Sequence, residues 1–181
     1  MDNQHFFDQL ALEDGHFDHP SRIHGRGHTY RVMVHVYRLA GSLDLAELLR
    51  PALAAAYIHD MARRHDGYCD RHGAWSVASK LPRFRRFFLE NGIRERDLPS
   101  VAAAVENHCR EEDLDPADSA YRLSALLKDA DALDRIRLGE GNLETGYLRL
   151  NPSMDMVGFA RKLYFSSRNL NFHNFTGILK H

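Results

Sequence analysis

The segment from Ala54 to Arg63, AAAYIHDMAR, constrains the fold of this chain more than any other. It begins with small apolar residues, as a closely packed helix does, and it ends with the adjacent pair His59 and Asp60. The helix face that carries His59 is otherwise apolar and is therefore expected to be buried, with Leu49, Ala52 and Ala56 at helical spacing. A carboxylate where such a face ends is costly unless a cation pairs with it. From this segment alone, a metal-binding pair and an ordinary polar helix end are equally good interpretations.

The overall composition limits the class of protein. A chain of 181 residues suits one domain, 1–181, with a substantial core. Its 24 Lys and Arg nearly balance 25 Asp and Glu, which argues against binding to nucleic acid or to a membrane surface. Two cysteines, a polar N-terminus and the lack of a long apolar run favour a cytoplasmic protein. The 12 histidines fit a metal or phosphate site.

Apolar residues recur at helical spacing along most of the chain, so the sequence predicts an all-α fold. We expect a short N-terminal helix, five core helices within about 20–138, and a C-terminal extension over 139–181. The core helices are predicted at about 24–40, 44–64, 72–81, 99–108 and 115–138. Pro82 is expected to end the third of these helices, and a separate basic and aromatic piece follows over 83–89.

Four further polar residues lie on segments whose other inward positions are apolar: His28, His72, His108 and Asp131. Taken singly, each has an ordinary interpretation. A lone histidine on an apolar face is more often a hydrogen-bonded core residue. An Asp-rich run such as Asp129, Asp131 and Asp134 is more often a solvent-exposed face.

Together with His59 and Asp60, these residues follow the order His, His-Asp, His, His, Asp, with one position on each helix. This order resembles the metal-binding pattern of the HD-domain superfamily of metal-dependent phosphohydrolases. The resemblance covers about residues 20–138, and the chain is similar to a compact, stand-alone member. It implies an HD-domain helical bundle. It also implies a first divalent metal bound by His28, His59, Asp60 and Asp131, and a second metal at His72 and His108 with Asp60 shared.

The ligand types narrow the metal without selecting one. Imidazole with carboxylate suits Fe, Mn, Ni, Co or Zn, whereas Mg prefers more oxygen ligands. One ion or two both agree with the pattern. The resemblance implies hydrolysis of a phosphoester or phosphoanhydride on a small-molecule substrate, which we expect to be a nucleotide. A homodimer is compatible with the sequence.

Three residues near the predicted ligands are expected to act on the substrate. Arg63, four residues after His59, and Lys128, three before Asp131, would bind phosphate and assist catalysis beside Asp60. Many family members have Lys where this chain has Arg63. His24 precedes His28 by one helical turn and is expected to face the same cleft.

Other interpretations remain open. A non-catalytic HD module that binds a metal or a nucleotide and regulates a partner is the main alternative, although a complete ligand set argues against it. The longer signature of the cyclic-dinucleotide branch is missing. The second His-Asp pair, His65 and Asp66, lies in a Gly-containing loop without an apolar face, so we expect it to have no role in the site.

Overall fold

A computed structural model describes residues 3–181, apart from the side chain at position 140. Within this range the chain contains no β-strand, which confirms the predicted all-α class. Its α-helices are α1 (Gln4–Gln9), α2 (Arg26–Ser42), α3 (Ala46–Ile58), α4 (His72–Glu90), α5 (Leu98–Asn107), α6 (Tyr121–Leu133), α7 (Asn151–Asp155), α8 (Val157–Ser167) and α9 (Phe175–Leu179). Between residues 3 and 181, no helix has both the length and the apolar character needed to cross a bilayer.

Helices α2, α4, α5 and α6 all pack against the central helix α3. Helix α2 lies against α3 and α6, while α5 contacts α3, α4 and α6. Residues 52–56 of α3, which are four alanines and Leu53, are all completely buried. Small side chains let neighbouring backbones approach closely, because packing at interior density leaves little space between them. The ends of these helices are thereby brought together around His59.

The C-terminal extension returns to the core. Helix α8 packs against α2 and against the 3₁₀ segment Asp134–Leu138, and α9 packs against α1 and α2. The Phe175 ring lies edge-on to Phe7 with 5.2 Å between the ring centroids. The Phe175 N–H also donates to the Leu10 carbonyl at 2.9 Å. The two ends of the chain therefore share one hydrophobic cluster with the five inner helices.

Several helix ends differ from the sequence prediction. Helix α4 continues through Pro82 to Glu90, so the predicted break at this proline is wrong. A proline removes one main-chain hydrogen bond. The buried rings of Phe84 and Phe88 hold the second half of α4 against Tyr57, with 5.3 and 6.1 Å between centroids. This aromatic packing keeps the helix continuous.

Helix α6 starts at Tyr121, later than the predicted start at Asp115. The side chain of Asp115 accepts the N–H of Ala117, and that of Asp118 accepts the N–H of Ala120, each at 2.8 Å. Such local bonds from an aspartate to the main chain favour turns over helix. The segment before α6 is therefore a pair of turns.

The close approach of α4 and α5 yields a test of the fold. A Cβ added at Gly73 would lie 2.2 Å from the Val105 carbonyl oxygen and 3.0 Å from that of Glu106. We expect Gly73→Ala to force the two helices apart and to lower the free energy of unfolding by about 1–3 kcal/mol. Thermal and urea unfolding measure this change.

Gly158 provides a matched control, because it also occupies the second position of its helix, α8, and a Cβ there meets no atom within 4 Å. Gly158→Ala should leave the stability unchanged or raise it slightly. Equal stability of Gly73→Ala and the wild type would show that the two helices do not need this close contact.

Candidate metal centre

Five helices deliver the six predicted metal ligands to one buried cluster. His28 and His72 lie in the first turns of α2 and α4. The other four ligands lie where a helix ends: His59 and His108 cap α3 and α5, Asp60 follows His59 in a turn, and Asp131 is in the last turn of α6. Five of them are at most 7% exposed, and the sixth, Asp131, has a side chain that is 27% exposed. The structure therefore brings together all six: His28, His59, Asp60, His72, His108 and Asp131.

The Asp60 carboxylate lies between two pairs of histidines. Its Oδ2 atom is 3.3 Å from Nε2 of His28 and 3.7 Å from Nε2 of His59. Its Oδ1 atom is 2.9 Å from Nε2 of His72 and 3.6 Å from Nε2 of His108. Each oxygen of one carboxylate thus faces a different pair, as a carboxylate shared between two metal sites would.

The neighbouring residues His59 and Asp60 converge because α3 ends earlier than predicted. The helix stops at Ile58 instead of continuing to about residue 64. His59 is its C-cap and Asp60 lies in the following turn. On a continuing helix the two side chains would point about 100° apart.

Main-chain carbonyls orient three of the histidines. The Nδ1 atoms of His59, His72 and His108 lie 2.6–2.8 Å from the carbonyl oxygens of Ala56, Cys69 and Val105 respectively. A carbonyl oxygen only accepts, so Nδ1 carries the hydrogen in each ring. In the neutral ring, Nε2 therefore keeps a lone pair directed toward Asp60, and this lone pair is what binds a metal ion.

Within each pair the Nε2 atoms face one another. They are 3.2 Å apart between His28 and His59 and 2.9 Å apart between His72 and His108. Two facing lone pairs repel, so a proton or a cation must lie between them. For the second pair, burial lowers the pKa of His72, which disfavours a proton. The donor set therefore fits a cation, and two imidazoles with a carboxylate oxygen suit a divalent transition metal.

The carboxylates of the cluster are held in the charged form. Burial opposes the ionisation of Asp60, but His59 and hydrogen bonds with the surrounding imidazoles hold the pKa of this carboxyl well below its usual range. For His28, burial and Arg137 disfavour the proton, yet hydrogen bonds with Asp131, Asp134 and Asp60 raise the pKa to about 9. A bound cation competes with that proton, so metal binding is expected to weaken as the pH falls.

Sequence reasoning missed two residues that orient His28. Asp134 is completely buried, and its Oδ2 atom lies 2.8 Å from Nδ1 of His28. Arg31 donates to both oxygens of Asp134, at 2.6 and 3.0 Å. A carboxylate behind a metal-binding histidine fixes its orientation and makes the ring a better ligand. The spacing was a usable signal, because Arg31 and Asp134 each lie three residues after a predicted ligand.

The Asp-rich run of α6 is not a solvent-exposed face. Asp129, like Asp134, is completely buried. Its carboxylate accepts the main-chain N–H groups of Arg149 and Leu150 and the hydroxyl of Ser153 at 2.7–3.0 Å. It therefore ties the C-terminal extension to α6, while Asp131 points to the metal centre.

Arg63 and His24 both contact Asp60. Arg63 donates from Nε to Oδ1 at 3.0 Å and from an amino group to the Gly67 carbonyl at 3.1 Å. His24 lies just before α2, with its Nδ1 atom 2.8 Å from Oδ2 of Asp60. Both residues line a cavity of about 390 Å³ over the cluster. His65 and Asp66 are exposed in the adjoining loop, although Asp66 reaches the edge of this cavity.

Lys128 is engaged away from Asp131. It donates to Asp113 and to the Glu112 carbonyl, both at 2.8 Å. It lines a second cavity of about 440 Å³, together with Tyr147 and Arg149. The two cavities meet at His108 and Asp131, so both lead to the metal centre.

Ligand-type atoms converge in four groups of three within the described residues, and in each group the atoms lie within 4.8 Å of one another. These groups are His28-His59-Asp131, His59-Asp60-His108, His24-His28-Asp60 and His72-His108-Cys109. The cluster therefore has the donors and the spacing to hold a metal ion. Comparison of the chain with protein-family models, with curated proteins and with solved structures found no match.

Removing one ligand tests the metal centre. His59→Ala should lose most of its bound metal, because it removes one of two imidazoles that face each other across the first pair. The double variant His65→Ala/Asp66→Ala should keep the wild-type metal content, since both residues are exposed. Elemental analysis of the purified proteins gives the metal content per chain. A wild-type metal content in His59→Ala would show that the metal is bound at other residues of the protein.

A second variant tests the residues behind His28. Asp134→Asn removes a negative charge that both Arg31 and His28 contact, and metal affinity should fall by about 10- to 100-fold. Titration against a chelator of known affinity measures the change. Asp155→Asn, at the end of α7, is the control and should not alter the affinity. Unchanged metal affinity in Asp134→Asn would mean that this carboxylate serves only the packing of α6.

Proposed function

We propose that this protein is a metal-dependent phosphohydrolase of the HD type, which hydrolyses a phosphoester or phosphoanhydride bond in a nucleotide. The observation that carries the proposal is the position of Asp60, whose two oxygens face two separate histidine pairs. This arrangement suits two metal ions that share one carboxylate. It also agrees with the resemblance of the ligand order to the HD superfamily.

Each residue of the cluster has a role in the proposed site. His28, His59 and Asp131 would hold one metal ion, His72 and His108 would hold the other, and Asp60 would serve both. When bound, a divalent metal supplies water of lowered pKa and neutralises charge on phosphoryl oxygens. The protein holds the imidazoles in place through Asp134 and through main-chain carbonyls, so little reorganisation is needed at the moment of reaction.

The charge of the site favours an anionic substrate. Three carboxylates, those of Asp60, Asp131 and Asp134, are accompanied by three guanidinium groups. These belong to Arg31, Arg63 and Arg137. The protein charges thus cancel, and each divalent ion adds two positive charges to a buried, low-dielectric site. A phosphate group, which carries up to two negative charges, complements that excess.

The surroundings support a nucleotide as the substrate. The cavities of about 390 and 440 Å³ lie within the size range of small-molecule sites. Each has an exposed aromatic ring on its lining, Tyr68 in the first and Tyr147 in the second. An aromatic ring can stack on a nucleobase, and such stacking tolerates any base. Arg63 and Lys128 remain the proposed partners of the substrate phosphates, one in each cavity.

A phosphate-release screen tests the proposal. Metal-free protein is reloaded separately with Mn²⁺, Fe²⁺, Co²⁺, Ni²⁺, Zn²⁺ or Mg²⁺ and incubated with nucleoside mono-, di- and triphosphates. We expect phosphate release that requires metal and that falls by at least about a hundredfold in Asp60→Asn, because this variant loses the charge shared by both histidine pairs.

The control is the exposed variant Asp66→Asn, which should release phosphate at the wild-type rate. Tight metal binding without hydrolysis of any nucleotide or simple phosphate ester would contradict the proposal. That outcome would support the alternative, a non-catalytic HD module that binds a metal or a nucleotide.

A further inference from the structure

Arg137 directs an unused hydrogen-bond donor into the metal centre. It lies in the 3₁₀ segment Asp134–Leu138, and its side chain is only 4% exposed. Its Nε atom donates to the Ile23 carbonyl at 2.7 Å, which fixes the guanidinium group. Its NH1 atom is buried and has no hydrogen-bond partner among the residues that the structure describes. The residue lines the first cavity, beside Asp60 and Asp131.

The neighbouring groups do not supply the missing acceptor. The nearest carboxylate oxygens, on Asp131 and Asp134, are 3.9 Å from NH1, which is beyond hydrogen-bond distance. The Asp134 oxygens already accept from Arg31 and His28. Leaving a buried cationic donor unpaired costs free energy, so an unpaired donor that lines a cavity marks a position where a ligand can supply the acceptor.

The second amino group of Arg137 is also available. Its NH2 atom lies 3.4 Å from Nδ1 of His24. That nitrogen lies 2.8 Å from Oδ2 of Asp60, and a carboxylate oxygen only accepts. Nδ1 of His24 therefore donates its hydrogen to Asp60 and is a poor acceptor for Arg137. The guanidinium is held at Nε, while both amino groups are left for a ligand.

Arg137 differs in this respect from the two cations that the sequence indicated. Arg63 uses its Nε for Asp60 and an amino group for the Gly67 carbonyl. Lys128 uses its ammonium group for Asp113 and the Glu112 carbonyl. Of these three cations, only Arg137 combines nearly complete burial with an unpaired donor atom.

We propose that Arg137 binds a phosphoryl oxygen of the substrate next to the metal ligand Asp131. The inference rests on the proposed function and adds to it a residue that contacts the reacting group. A planar guanidinium can bind two oxygens of one phosphate, and a metal ion held beside it would bind a third, so the site would select a phosphate group with three free oxygens. Such a group is a phosphate monoester or the terminal phosphate of a nucleotide.

Binding of inorganic phosphate to the metal-loaded protein tests this role directly. Arg137→Gln should weaken phosphate binding by about 10- to 100-fold in calorimetric titration, because one charge-assisted hydrogen bond or more is lost. Its metal content should equal that of the wild type. The control is Arg86→Gln, since Arg86 is an exposed residue of α4 that pairs with Glu90 and lines neither cavity. This control should bind phosphate nearly as tightly as the wild type.

Two outcomes would overturn the inference. Wild-type phosphate affinity in Arg137→Gln would show that the guanidinium does not contact the anion. A loss of metal together with phosphate would show that Arg137 only balances the buried carboxylates. If Arg137→Gln does not fold, Arg137→Lys replaces it. This variant keeps the positive charge but lacks the planar guanidinium that can bind two oxygens. Weaker phosphate binding by a fully metallated Arg137→Lys supports the inference, and unchanged binding contradicts it.

These measurements separate the inference from the proposed function. If the protein binds phosphate through Arg137 but hydrolyses no phosphate ester, the anion site is supported and the catalytic proposal is contradicted. If the protein hydrolyses nucleotides but binds phosphate equally well without Arg137, the catalytic proposal is supported and the inference about Arg137 is contradicted.

Discussion

The repulsion between buried, electron-rich atoms is the constraint on which this structure depends. Two pairs of imidazole nitrogens face each other at 3.2 and 2.9 Å, and an ionised carboxylate lies between the pairs. No arrangement of neutral rings alone satisfies these contacts, because the Nδ1 hydrogens are committed to other acceptors. A cation at the centre turns the repulsion into attraction. The surrounding helices can therefore hold these groups together only with positive charge supplied to them.

The fold prepares the site through the ends of its helices. The last carbonyl groups of a helix have no partner within the helix. Here the carbonyls of Ala56 and Val105, near the ends of α3 and α5, accept the hydrogens of His59 and His108, which lie three residues later. The Cys69 carbonyl, just before α4, accepts the hydrogen of His72, the first residue of α4, with the same spacing of three residues. Groups that would otherwise need water thus orient the ligands, and the tight packing at Gly73 brings His72 and His108 together.

The sequence was informative where local pattern determines position. Each predicted ligand lies near apolar residues at helical spacing, so its direction toward the interior could be predicted. The contribution of Arg137 could not, because this residue lies in the 3₁₀ segment after α6, whose path depends on packing against α8. Nor did the pattern reveal that α4 continues through Pro82, since the rings that stabilise it meet Tyr57 from a different helix. The direction of Lys128 was also not predictable, because it depends on a hydrogen bond to Asp113, which is distant in the sequence, rather than on its position near Asp131.

The central claim is that Asp60 joins two metal positions, and anomalous diffraction from crystals of the metal-loaded protein tests it most directly. Data collected on either side of the absorption edge of the bound metal locate the ions without assumptions about the protein. The account predicts one peak within about 2.0–2.2 Å of Nε2 of His28 and His59 and a second at the same distance from Nε2 of His72 and His108, with Asp60 between them. Crystals with metal bound only at other residues, and with no peak beside Asp60, would contradict it.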